Sequence, residues 1–224
     1  MTNPPVLLIV AKAPVPGLAK TRLAAAVGSS AAADLAAACL LDTFDAARAT
    51  GWPVVVALTG DLGQSARRDA VRDALLGFLV VPQRGPTFAA RLAAAHADAA
   101  SSCPDAAGVV QIGMDTPQAG AAHFEAAHRL MRAHGSVLGP APDGGWWLLG
   151  LADPAAADCL AGVPMSRRDT CTSTEQALRG LGLTPVFADA LQDVDQASDA
   201  EHVAHAHPRL RFAAAWRATP VSPS

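Results

Sequence analysis

An α/β fold with a mostly parallel sheet and a late antiparallel hairpin is what this sequence predicts, and three observations predict it. Short, uncharged, β-branched runs alternate with alanine-rich stretches, the pattern of strands and crossover helices in a parallel sheet. The first run, Val6-Leu7-Leu8-Ile9-Val10, is apolar at every position, as a strand buried on both faces must be. From Ser136 onward the rhythm changes. Two apolar runs flank Pro140-Ala141-Pro142-Asp143-Gly144-Gly145, a turn-rich link that suits antiparallel pairing.

Taken in order, Val6–Val10 leads through a Pro/Gly loop into a helical region near Ala19–Thr50, where alanine favours helix. Val54–Leu58 is the next apolar run, followed by a charged helix around Gln64–Leu76 and a strand at Phe78–Val81. Phe88–Ala100 reads as helix, Val109–Ile112 as strand and Ala119–Ala133 as helix. Ser136–Leu138 and Trp146–Leu151 are the antiparallel pair. A helix near Ser173–Leu181, a strand near Pro185–Phe187 and a helix near Ser198–Ala206 complete the expected order. Beyond Pro208 the periodicity is lost, so residues 209–224 are expected to fray as a tail. With no internal repeat and no interdomain linker, residues 1–208 read as a single domain.

Composition narrows the partners. The 224 residues carry a formal net charge of −3 and no basic stripe, which argues against nucleic acid. Hydrophobic residues make up 51%, ample for a core, yet no apolar stretch approaches the roughly 20 residues needed to span a bilayer. The N-terminal stretch has no basic lead before its apolar run, so no signal peptide is expected. Cys39, Cys103, Cys159 and Cys171 form no C-x-x-C pair and suit a reducing cytoplasm.

The residues with chemistry fall in four places. Ala11-Lys12-Ala13-Pro14-Val15-Pro16-Gly17-Leu18-Ala19-Lys20-Thr21-Arg22 joins the first strand to a helix N-terminus with three cations. Free backbone N–H groups and cations at one point make an anion site, and a nucleotide phosphate is the expected anion. The spacing is neither that of a P-loop nor of a G-x-G-x-x-G turn, and a solvated surface turn is the plainer reading. Gly113-Met114-Asp115-Thr116-Pro117 follows the strand Val109–Ile112, so Asp115 leaves the carboxyl end of a central strand. Open α/β sheets bind ligands there, and a carboxylate suits a magnesium ion on phosphate oxygens. The simpler role is a cap on a helix starting near Pro117.

The third place is Asp143-Gly144-Gly145, a good turn by itself, whose glycines also permit close backbone approach to a ligand. Trp146 and Trp147, next along, point to opposite faces, one for the core and the other for a pocket wall. The fourth is Asp193-Val194-Asp195. Both carboxylates share a side if the run is extended, giving a second metal ligand; solvated acids before a helix are the alternative. An aspartyl-phosphate role is excluded, because that chemistry needs the pair after the first strand. His202, His205 and His207 read as a helix end rather than a zinc cluster, and His123 and His128 as solvated.

Together these segments resemble the bacterial glycosyltransferase-like proteins related to 2-phospho-lactate guanylyltransferase. The matching residues are Lys12–Gly17 with Lys20-Thr21-Arg22-Leu23, Gly113–Pro117, Leu138-Gly139-Pro140 with Asp143-Gly144-Gly145, and Asp193-Val194-Asp195. The resemblance implies a GT-A (nucleotide-diphospho-sugar transferase) fold, a three-layer sandwich around the sheet. It implies that the Lys12–Arg22 loop, with Ala11, Lys12, Pro14, Gly17, Lys20, Thr21 and Arg22, holds the nucleotide. It implies that Asp115 and Asp195 bind a divalent metal, Mg2+ or Mn2+. Two departures bear on the acceptor. Gln83-Arg84-Gly85-Pro86-Thr87-Phe88-Ala89 stands where a Gly-Asp-Leu-Gly sequence is usual, and Met165 where a tryptophan is usual.

The expectation is therefore a metal-dependent transferase with Asp115, Lys20, Arg22 and Asp143 as its catalytic set. Asp143, Gly144 and Gly145 are expected on the acceptor side. The first reading is transfer of a sugar from a nucleotide-sugar to a small acceptor. Nucleotidyl transfer to a small phosphorylated or carboxylated acid is the second, and a non-catalytic nucleotide-binding module the third. The oligomeric state is left open, with a homodimer the candidate.

Overall fold

The computed structural model describes residues 3–221. Its centre is β1 (Val6–Lys12), whose residues Val6, Leu7, Leu8 and Ile9 are wholly buried. Parallel neighbours flank it on both sides, β2 (Val54–Thr59) and β4 (Val109–Ile112). An apolar side chain at every position is what two covered faces demand. The remaining strands are β3 (Leu79–Pro82), β5 (Ser136–Pro140), β6 (Trp146–Leu151) and β7 (Val186–Phe187). They make a seven-stranded sheet in the order β3-β2-β1-β4-β6-β5-β7. Only β6 is antiparallel to its neighbours, β4 and β5, as the late turn-rich link predicts.

Alternate residues of the strands feed two separate cores. Leu7, Ile9, Val56, Val110 and Ile112 meet α2 (Ser29–Ala49), α3 (Arg68–Leu75) and α5 (Ala121–His134). Leu8, Val10, Val55, Ala57, Leu149 and Leu151 meet α4 (Phe88–Ser102), the 3-10 segment Pro154–Gly162 and α6 (Thr170–Gly180). The result is the three-layer sandwich of the nucleotide-diphospho-sugar transferase fold. No described helix is long and apolar enough to cross a membrane.

Two expectations about helices are corrected. The region Ala19–Thr50 is not continuous but breaks at Gly28, φ +83°, into α1 (Thr21–Val27) and α2. The chain after Pro208 is not frayed through its length: Arg211–Ala218 is helix α8. With α7 (Ala197–Ala206), its Phe212, Ala213 and Trp216 form a third apolar cluster against Leu23, Leu35 and Cys39. The start of α8 is capped from a distance. Asp42 of α2 accepts from the Arg211 N–H at 3.0 Å and the Phe212 N–H at 2.9 Å. Residues 222–224 of the expected tail lie outside the described residues.

A supporting α8 makes a direct prediction. Phe212 is fully buried, so Phe212→Ala should cost about 3–5 kcal/mol. Asp42→Ala should cost about 1–2 kcal/mol through the lost cap. Urea denaturation measures both, and a dispensable tail would leave each variant within about 0.5 kcal/mol of the parent.

Candidate functional site

The sheet order reverses direction at β1 and β4. The chain leaves β1 toward β2 and β3, then returns to β4 on the other side. The loops from the carboxyl ends of β1 and β4 therefore diverge and leave a crevice, where open α/β sheets take ligands. The loop after β1 is pinned to its surroundings: the Ala13 N–H donates to Thr59 O at 2.8 Å, and Pro14 O accepts from the Ala66 N–H at 2.9 Å. Gly17 at its outer end has φ +77°. Lys20, just before α1, sits in the left-handed region at φ 48°.

That conformation aims Lys20 inward. Its Nζ stands 3.1 Å from Asp115 Oδ2 and 3.0 Å from Asp195 Oδ1, with the side chain only 9% exposed. Arg22 reaches Asp195 Oδ2 at 3.4 Å from an exposed position. Asp115, Asp193 and Asp195 bring carboxylate oxygens within 4.8 Å of one another. The last two arrive on a segment tied to the β4 loop, where the Val194 N–H donates to Asp115 O at 2.8 Å. Asp199 then accepts from the Asp195 N–H at 3.2 Å and the Gln196 N–H at 2.8 Å, holding the turn into α7.

The charges act on one another. Burial first, then the Asp115, Asp143 and Asp195 carboxylates, push Asp193 up to about 7. Burial works against the charge of Lys20, but Asp115 and Asp195 outweigh it and raise its pKa above the usual lysine value. Three oxygen donors in this spacing, half-buried, suit a hard divalent cation.

The remaining expectations divide. Asp115 and Thr116 cap no helix, because α5 begins at Ala121 with Gly120 before it. Thr116 Oγ1 and Gln118 Oε1, on the loop that follows Asp115, are instead buried without a partner among the described residues. Lys12 and Thr21 are exposed at the ends of β1 and α1. Ala11 is buried, and its carbonyl accepts from Gln83 Nε2 at 2.8 Å. The same amide donates to Ala57 O at 3.0 Å, so Gln83 clasps the ends of β1 and β2. Asp143 is exposed and accepts from the Gly145 N–H at 2.7 Å, and its charge is among those that raise Asp193.

For Gly144 the close approach is to protein. A Cβ there would strike the Arg168 carbonyl, and Gly144 O accepts from the Cys171 N–H at 2.9 Å. Neither tryptophan has a free indole: Trp146 Nε1 donates to Thr174 Oγ1 at 3.1 Å and Trp147 Nε1 to Asp189 O at 3.0 Å. His123 Nδ1 accepts from the Gly120 N–H at 3.1 Å, and His128 packs edge-on to Trp52. His202, His205 and His207 form no metal-holding group among the described residues. Asp193 is the member of the carboxylate cluster that the pairing of Asp115 with Asp195 leaves out; its signal is the Asp-x-Asp alternation.

Comparison with curated proteins finds no match. Among solved structures, a presumed nucleotide-diphospho-sugar transferase from Desulfovibrio desulfuricans G20 superposes with a TM-score of 0.83 at 24% identity, over 96% of this chain and 95% of that one. Rv0371c from Mycobacterium tuberculosis H37Rv, in complex with manganese, gives 0.54 at 22%, over 91% and 98%. CMP:2-keto-3-deoxy-manno-octonic acid synthetase complexed with CTP gives 0.53 at 15%, over 90% and 97%. At these identities the likeness is one of fold. A family model described as an uncharacterized protein conserved in bacteria, DUF2064, matches residues 40–167, a span that holds Asp115 and Asp143. With more than half of its length matched, the chain belongs to the bacterial DUF2064 family.

Proposed function

We propose that this protein is a metal-dependent transferase that uses an activated nucleotide as donor. One observation carries the reading: Lys20, Arg22 and three carboxylates converge at the crevice where the sheet reverses. Asp115, Asp193 and Asp195 would hold Mg2+ or Mn2+, and the loop Ala11–Arg22 would hold the donor's phosphates. A bound divalent cation supplies neutralising charge to phosphate oxygens of the leaving group. Lys20 and Arg22 add positive charge for the donor's phosphates, and the half-buried setting strengthens each contact. Asp143, exposed and close enough for its charge to raise Asp193, would take a hydrogen bond or proton from an acceptor hydroxyl. Manganese in one fold relative and CTP in another support the same assignment of ligands. The free cysteines suit a cytoplasmic setting.

Transfer of a sugar from a nucleotide-sugar is the first reading, supported by the D. desulfuricans relative. Transfer of a nucleotidyl group is the second, supported by the CTP-bound synthetase. Their products separate them: a nucleoside diphosphate in the first, pyrophosphate in the second. A panel of nucleotide-sugars and nucleoside triphosphates with Mg2+, assayed for both products, tests the proposal. Release of neither from any donor, with folded protein, would reduce the chain to a binding module.

Two predictions follow from the carboxylates. Asp115→Asn should weaken Mn2+ binding by about 1–3 kcal/mol, the scale of a lost charged partner, while the circular dichroism spectrum stays that of the parent. Unchanged Mn2+ affinity would remove Asp115 from the cation site. The second concerns pH. Asp193 is held near 7, so below that it is mostly protonated and a poor ligand. Mn2+ affinity should rise with pH through about 7 and then level. Without cation the sign of the stability effect is opposite. The folded carboxyl is raised above its unfolded value of 3.8, so stability falls as pH climbs from there to about 7. Asp193→Asn should abolish both slopes, read by calorimetry and by thermal unfolding.

A further inference from the structure

Arginine supplies every basic position of this protein outside one loop. Of its 17 lysine and arginine residues, the lysines are Lys12 and Lys20 alone. Lys20 Nζ lies between Asp115 and Asp195, at 3.1 Å and 3.0 Å. Those are two of the three side chains whose carboxylate oxygens come within 4.8 Å. An ammonium is a compact, near-spherical charge, whereas a guanidinium is a flat fork that binds carboxylates side-on. Of the two, the ammonium is the one that resembles a small metal cation. A divalent ion on the same oxygens would sit about 2.0–2.6 Å from them. It would then stand within a few ångströms of Nζ, at a distance where like charges repel strongly in a half-buried site.

The backbone fits a side chain held in place by its partners. Lys20 adopts φ 48°, a conformation uncommon for a lysine, with no side-chain cap to the helix that follows. Its contacts with the two carboxylates are what occupy the ammonium in the structure. Arg22, by contrast, has a side chain 67% exposed, and among the described residues its one ion pair is with Asp195.

We propose that Lys20 is the resident counter-ion of the carboxylate cluster and exchanges with the divalent cation. The two exclude each other from Asp115 and Asp195. An arriving cation frees the ammonium, which becomes available to the donor's phosphates in the same loop. The exclusion needs only the cation site; the hand-over to phosphate rests on the proposed transferase function. Lys20 is thus a positioning residue before it is a phosphate ligand, and the apoprotein keeps its carboxylates paired.

The test is Mn2+ titration of the nucleotide-free protein by electron paramagnetic resonance, joined to acetylation of lysines read by mass spectrometry. Lys20→Met should bind Mn2+ at least about tenfold more tightly than the parent, because the competing charge is gone. Arg22→Met, which removes an equal but exposed charge, should gain less than about threefold. Lys20→Gly, which accepts φ 48° without strain, provides the same comparison if the methionine variant does not fold. In the parent, Mn2+ should speed acetylation of Lys20 several-fold while the exposed Lys12 keeps its rate. If Mn2+ binds the parent as tightly as Lys20→Met, and Lys20 labelling does not change, lysine and cation share the site and the exchange is wrong, while the cation site stands. If neither protein binds Mn2+ at millimolar concentration, cation site and exchange fall together.

Discussion

Three carboxylates with oxygens within 4.8 Å of one another need positive charge among them, and the rest of this structure is arranged around supplying it. Asp115, Asp193 and Asp195 come from segments about 80 residues apart in sequence. Lys20 comes from a third segment near the chain's start, and it bridges the other two. Without it the crowded carboxylates would repel, and only the exposed Arg22 would pair its charge with Asp195. Burial, and after it the neighbouring carboxylates, raise Asp193 to about 7. On the loop that follows Asp115, Thr116 Oγ1 and Gln118 Oε1 are buried without partners among the described residues.

The third apolar cluster explains how that charge is held in register. Val194 lies between the two acids and is buried with Leu23 of α1, Leu35 of α2 and Phe212 of α8. With Val194 anchored inward, Asp193 and Asp195 on either side of it bring their carboxylates to Asp115. Leu23 in the same cluster fixes α1 three residues after Lys20. One apolar contact set therefore sets the positions of lysine and acids together. Helix α8 belongs to the site's support, and its cap from Asp42 ties that support to the long helix beneath the sheet.

Much of this was legible in the residues. The buried run Val6–Val10, the strand Val109–Ile112 and the pair flanking Pro140–Gly145 stand where apolar periodicity puts them. The first loop, Asp115 and the Asp193-Val194-Asp195 pair were all visible as chemistry without partners. What stayed hidden is non-local. Helix α8 spreads its apolar contacts over Phe212, Trp216 and small alanines, and its N-cap is supplied by a residue of α2 rather than by the preceding chain. The break at Gly28 was masked by alanines on both sides. Gly144 looked like a surface made for a ligand because its neighbour, the Arg168 carbonyl, is distant in sequence. The Asp-x-Asp alternation placed two acids on one side, but which of them meets Asp115 depends on a tertiary approach.

That approach is the work of the sheet's one reversed strand. Because β6 runs antiparallel between β4 and β5, the chain leaving β5 and β7 emerges at the same edge as the chain leaving β1 and β4. From β7 it crosses that edge in steps fixed by backbone hydrogen bonds. Ala188 donates to Leu138 O at 3.0 Å, Leu191 to Pro140 O at 3.2 Å and Val194 to Asp115 O at 2.8 Å. The Trp147 indole holds the segment midway, on Asp189 O. A slip of one residue along this path would exchange inside for outside. Val194 would then face the crevice and both acids the apolar cluster, so the late antiparallel strand and the carboxylate cluster are a single constraint.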